Sequence, residues 1–281
     1  MRKEIIPSII LGLITPVLVY YGITFAVTAL GIVTVSLAGS ASLHDMNNIS
    51  RILARYTMTF QVIAAGISII PLAFMMRRDR PKRRFYYEKK KHVLWYAAAA
   101  AMAAAASIGG NFLINLTSLT ESSEAFQEAE SSLFSGSVAV QIIGIGFVVP
   151  ICEEMVYRGL IYQRMRQFMS VTLSVVMSAV FFGVMHGNIV QGIYAFALGL
   201  MLAYAYEKYG SLRAPVLCHI SANCVSLLLM YGGVSVESRT AAMITGFAGV
   251  AAALAMIVLI DRHVQTKLIY PDDKQKKDKE A

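Results

Sequence analysis

The sequence predicts an all-α polytopic membrane protein with about eight transmembrane helices, and three observations carry that expectation. Of the 281 residues, 57% are hydrophobic and only 15% charged, with a mean hydropathy of +0.59, far too apolar for a water-soluble domain of this length. Charge is also segregated: no Asp, Glu, Lys or Arg occurs in residues 5–43, 56–76, 93–120, 131–152, 167–206, 214–236 or 240–260. Each gap reaches the roughly 20 residues that a helix needs to cross the hydrocarbon.

Six of the gaps hold one helix each. The stretch 167–206, 40 residues long, holds two, interrupted at the polar and flexible Gly187-Asn188. In the first gap Gly39, Ser40 and Ser42 read as an emerging loop, and the apolar run before them far exceeds the roughly 7 to 15 residues of a cleavable signal. The alanine run from Ala97 to Ala106 suits close helix approach in lipid. The chain divides into residues 1–135, three helices with a basic loop at 77–92; 136–232, helices four to seven; and 233–281, the eighth helix and a charged tail. No internal repeat is evident.

The formal charge of +8 does not indicate a nucleic-acid partner, because the basic residues lie between spans rather than on one soluble surface. Cytoplasmic loops collect basic residues. An internal N-terminus places Arg2, Lys3, the nine basic residues from Arg77 to Lys91, Arg164, Arg166, Lys208, Arg213 and the six from Arg262 onward inside. Only Arg51, Arg55 and Arg239 fall outside, together with the acidic segment containing Glu121, Glu124, Glu128 and Glu130. A multi-pass cell-membrane protein with both termini cytoplasmic follows. Cys152, Cys218 and Cys224 all fall in apolar stretches and define neither a disulfide scaffold nor a redox compartment.

An ionisable group inside a span costs about 2.5 to 3.5 kcal/mol on insertion scales, so each needs a partner or a task. Glu154 and Arg158 are four apart with the acid first, the favourable order for a helical ion pair. Glu153 is rotated about 100° from Glu154 and is the carboxylate left over. Phe182 shares a helix face with His186, and His219 with Asn223. Glu207-Lys208 marks a span end. A hairpin turning near Phe168 to Ser170 places Glu153 about 15 residues before the turn and His186 about 16 after it, at equal depth. With Arg164 and Arg166 placing the hairpin tip in the cytoplasm, and His219 entering its helix from that side, these groups are expected to line a cavity within the bundle that opens to the cytoplasm.

Together, in order and on separate helices, Glu153-Glu154-xxx-Arg158, Phe182-xxx-His186 and His219-xxx-Asn223 resemble the three motifs of the CPBP family. That family comprises type II CAAX prenyl proteases and bacteriocin-processing enzymes and is also called the Abi or lysostaphin resistance protein A-like family. The resemblance covers about residues 136–232. It implies an intramembrane glutamic endopeptidase without a cofactor, acting on a peptide or protein substrate at the bilayer, in bacterial members in peptide processing or bacteriocin immunity. Carried over, Glu153 with His186 activates a water, His219 and Asn223 bind the oxyanion, Glu154 and Arg158 support, and Phe182 packs or lines a substrate groove. Carboxylate and imidazole suit general acid–base work, and His with Asn suits an oxyanion.

Four other readings compete. A non-catalytic immunity or scaffold protein would keep the fold and bind without cleaving. A zinc protease would use Glu153, His186 and His219 as ligands, although the HExxH motif is absent. Cys152 or Cys218 as nucleophile lacks a thiolate-stabilising neighbourhood. A proton or solute transporter relaying through Glu153 and the histidines lacks a detectable repeat.

Overall fold

The computed structural model describes residues 2–39, 45–88, 93–117, 119–134, 136–234 and 238–270. The expected loop at Ser40 and Ser42, the lysines at 89–91 and the charged tail from Pro271 lie outside the described residues. Helices α1 (Arg2–Ala38), α2 (Met46–Asp79) and α3 (Val93–Asn115) are followed by two short helices, α4 (Leu119–Ser122) and α5 (Glu124–Leu133). Next come α6 (Val138–Arg166), α7 (Val171–Val184), α8 (Ile189–Tyr209), α9 (Arg213–Tyr231) and α10 (Arg239–His263). Seven of these are long and apolar enough to cross a membrane.

The helix starts are written locally. Ser137, Ser170, Asn188 and Ser238 each accept a hydrogen bond from the backbone N–H three residues on, capping α6, α7, α8 and α10. The α6–α7 hairpin turns at residues 167–170, the predicted place. The predicted break between α7 and α8 is also present: α7 ends at Val184, Gly187 adopts φ +79°, and Asn188 caps α8. At 14 residues, however, α7 is about 21 Å long and stops short of a full crossing. Irregular backbone at that depth is tolerated where it lines a protein cavity, which is where the 185–188 turn sits.

Helix α6 is central, packed against α1, α2, α7, α8 and α9. Its residues from Met155 to Tyr162 are all buried. It is not a uniform helix. Residues 144–148 and 155–162 form wide turns with π-type hydrogen bonding, as where the Val149 N–H reaches back to the Gly144 carbonyl. Such turns inside helices recur at functional sites, and here they flank Glu153 and Glu154. Elsewhere α3 packs on α9 and α10 through the expected small residues. A Cβ at Gly249 would stand 2.6 Å from the Gly109 nitrogen, so the α3–α10 backbones touch.

One end of the bundle is tied by polar contacts. Arg164 at the foot of α6 bonds Asp79 of α2 and the Gly12 carbonyl of α1. Glu207 of α8 accepts from Tyr87 and Tyr162, each at 2.5 Å, and pairs with Arg166 at 3.0 Å. A two-residue strand at Tyr86–Tyr87 pairs antiparallel with Leu268–Ile269, fastening the chain after α2 to that after α10. Glu207, singled out by its sequence position, therefore belongs to this latch.

Candidate active site

Glu154 is fully buried and its Oε1 receives two partners, Arg158 Nη1 at 2.8 Å and His219 Nδ1 at 3.0 Å. Arg158, equally buried, donates its Nη2 to the Gly199 carbonyl at 3.1 Å and lies 4.5 Å above the Phe182 ring centroid. A buried ion pair holds only when further hydrogen bonds offset its desolvation. The expected Glu154–Arg158 pair is thus present, and it also orients an imidazole.

That imidazole bridges the two glutamates. With Nδ1 committed to Glu154, Nε2 of His219 faces Glu153, 3.8 Å from its Oε2 and beyond direct hydrogen-bond range. Glu153 keeps a side-chain exposure of 17%, against 0% for Glu154, because it faces a cavity. Adjacent carboxylates in the chain thereby occupy opposite environments.

His186 lies in the turn just beyond α7 rather than on the helix. Its Nδ1 is 2.7 Å from the Phe182 carbonyl, so the N–H donates there and Nε2 stays available. The Phe182 ring is buried edge-on between the imidazoles, its centroid 4.7 Å from that of His186 and 5.6 Å from that of His219. Asn223 donates Nδ2 to the Ile145 carbonyl in the first wide turn at 2.8 Å, leaving its second amide hydrogen free of that bond.

Glu153, Phe182, His186, His219 and Asn223 all line one cavity of about 690 Å³. Glu153, Glu154, Arg158, Phe182 and His219 form a contacting set; His186 joins it through Phe182, while Asn223 is fastened to α6. Other lining residues escaped the sequence reading. The hydroxyl of Tyr21 on α1 donates to the Met185 carbonyl at 3.1 Å, bracing the turn that carries His186. Asn111, Tyr194 and Ser226 line one wall and are joined with the buried Ser107 behind them by hydrogen bonds of 3.0 to 3.2 Å. Asn111 carried a signal, as an amide in an apolar span four residues before Asn115; Tyr21 carried none.

The cavity runs from Glu153 and His219 past Asn223 and Ser226 to Asn115 and the face of α5, away from the hairpin tip at 167–170. Its lining residues lie in the half of the bundle away from Arg77–Arg84, Arg164 and Arg166. Cys152 and Cys218 are fully buried, and the Cys218 thiol points to the Ala99 carbonyl at 3.2 Å, which removes them as nucleophiles. Among the described residues no three His, Cys, Asp or Glu side chains are grouped as a metal ion would require.

The fold and the site together define a class: an all-α polytopic membrane protein with a polar cavity built from three separated motifs. Residues 135–225 match the family model described as type II CAAX prenyl endopeptidase Rce1-like. This match spans roughly a third of the chain, α6 to α9, and supports the CPBP-family assignment that the motifs imply. At family level the likeness is to CAAX-type intramembrane proteases. No curated protein and no solved structure matches the chain.

Proposed function

We propose that this protein hydrolyses a peptide bond of a membrane-associated peptide, using Glu153 to activate a water. The observation that carries the reading is the division of labour between neighbouring carboxylates: Glu154 is consumed by Arg158 and His219, whereas Glu153 faces the cavity.

Glu153 takes a proton from water while the water oxygen bonds to the carbonyl carbon. The second amide N–H of Asn223 donates to the tetrahedral oxyanion, and Nε2 of His219 joins it when both ring nitrogens bear hydrogen, the Nδ1–H being held by the Glu154 carboxylate. Glu154 holds the His219 ring through Nδ1 and so sets which nitrogen faces the reaction. As the oxyanion collapses, the C–N bond breaks and the abstracted proton reaches the leaving amine, with Nε2 of His186 as the relay. Substrate side chains would occupy the cavity between Tyr21, Phe126 and Tyr194.

Glu153→Gln keeps size and hydrogen bonding but removes the base. Cleavage should fall by roughly 10² to 10⁴-fold, the usual worth of a general base, with the protein still folded. Comparative peptidomics of membranes holding wild-type or Glu153→Gln protein would read this out and expose the substrate. Unchanged cleavage would remove Glu153 from the chemistry, and unchanged biological activity without cleavage would favour a binding protein of the same fold.

A further inference from the structure

Three helices bring a hydrogen-bonded cluster to the cavity wall. Asn111 from α3, Tyr194 from α8 and Ser226 from α9 line it, and Ser107, four residues before Asn111, is buried behind them. Ser107 has a single hydroxyl hydrogen, which goes to the Ala222 carbonyl at 2.8 Å. Its oxygen is therefore the acceptor for the hydroxyls of Tyr194, at 3.2 Å, and Ser226, at 3.1 Å. Asn111 Nδ2 donates to the Ser107 carbonyl at 2.8 Å and to Ser226 Oγ at 3.0 Å. A carbonyl can only accept, so the nitrogen end of the Asn111 amide is fixed by that contact and its oxygen is the end left over.

Every polar hydrogen of the cluster is thus committed, and what it offers the cavity is lone pairs. Asn111 Oδ1 accepts no hydrogen bond among the described residues and is not sealed off. No member of the cluster is charged, so it suits a neutral N–H donor. It also lies close to the chemistry. Ser226 follows Asn223 by three residues on α9, about 4.5 Å along the helix axis, a distance that an extended chain covers in one to two residues.

Resting on the proteolytic reading above, we infer that this cluster is a docking subsite for the substrate main chain: Asn111 Oδ1 accepts a backbone N–H within two residues of the bond that is cut. A peptide in a bilayer keeps its N–H and C=O groups bonded to one another within a helix. Water reaches a carbonyl carbon only where that helix has opened, and each N–H released there is costly without a partner. Asn111 supplies the partner, one turn from the Asn223 amide that donates to the carbonyl oxygen. Such a contact reads the main chain and not the side chains, so at this subsite the substrate is defined as an unwound segment bearing an N–H.

The probe that tests this is a pool of decapeptides of randomised sequence, each member carrying one ester in place of an amide at a random position. That exchange deletes one N–H and nearly preserves the shape of the chain. Purified wild-type, Glu153→Gln and Asn111→Leu proteins are incubated with the pool, and mass spectrometry of the products gives the distance from the ester to the cut amide. Products that depend on Glu153 should be depleted about ten-fold in members whose ester falls at one fixed position within two residues of the cut, as expected when one acceptor is left unpaired. Asn111→Leu should cut more slowly and lose that depletion, because no acceptor remains to miss the N–H. Retention of the depletion in Asn111→Leu overturns the assignment. Uniform tolerance of esters by the wild type overturns the subsite by itself, whether or not the variant folds. Absence of any Glu153-dependent product refutes the proteolytic reading and the subsite together, whereas ester tolerance in products that do depend on Glu153 refutes the subsite alone.

Discussion

Glu153 and Glu154 differ by one position and in almost every physical respect. The i to i+4 spacing to Arg158 was legible from the chain and sufficed to divide the two carboxylates. What spacing could not show is that His219, 65 residues later, shares the same Oε1. The two substitutions should therefore separate. Glu154→Gln leaves the Arg158 guanidinium buried and uncompensated, a loss of about 3 to 5 kcal/mol, whereas Glu153→Gln, at a cavity wall, should change stability by less than about 0.5 kcal/mol. Thermal unfolding of both variants in one detergent checks this; equal stability would mean that Glu154 is not the structural carboxylate.

At the scale of the element, the helix boundaries were the most legible feature, because Ser, Asn and Gly at the ends act through their own backbone neighbourhood. The wide turns of α6 were not, since a π-type turn reflects packing on several neighbours rather than a composition. The length of α7 likewise follows from where the cavity needs the His186 turn. The alanine-rich α3 was legible as a close-packing helix, and its partner proves to be α10. Gly249→Ala would place a Cβ 2.6 Å from a backbone nitrogen and 2.8 Å from the Ala105 carbonyl. Neither can swing aside, so a loss of about 1 to 3 kcal/mol is expected. Gly22→Ala, with nothing within 4 Å of the new Cβ, is the control and should leave the melting temperature unchanged or raised.

At the scale of the whole molecule, the end of the bundle that holds Arg77–Arg84, Arg164 and Arg166 is sealed by buried side chains and a polar latch, and the cavity lies in the other half. The latch on the sealed end contains Tyr87, whose phenol is pushed above its ordinary value by burial and then by Tyr162 and the Glu207 carboxylate. Folding thus holds that proton more tightly than the unfolded chain does. The contact contributes fully below pH 10, the ordinary phenol value, and its contribution is lost as pH rises beyond it. Tyr87→Phe should be less stable than wild type at pH 8, and the gap should narrow above pH 10 in alkaline melts. A constant gap would show that the hydroxyl is not what the latch uses.

Sequence alone determined the solvent of this protein, the number and boundaries of most helices, and which side chains are candidates for chemistry, because hydropathy, capping and i to i+4 spacing are local properties. Tertiary structure decided how those side chains pair and which of them line the cavity. Both depend on contacts between α6, α7 and α9 that no local pattern encodes. The sharpest case is the cavity: spacing placed Glu153 and His186 at equal depth, but only the packing of α5 on α2 shows that Phe126, Ala129 and Glu130 complete its lining.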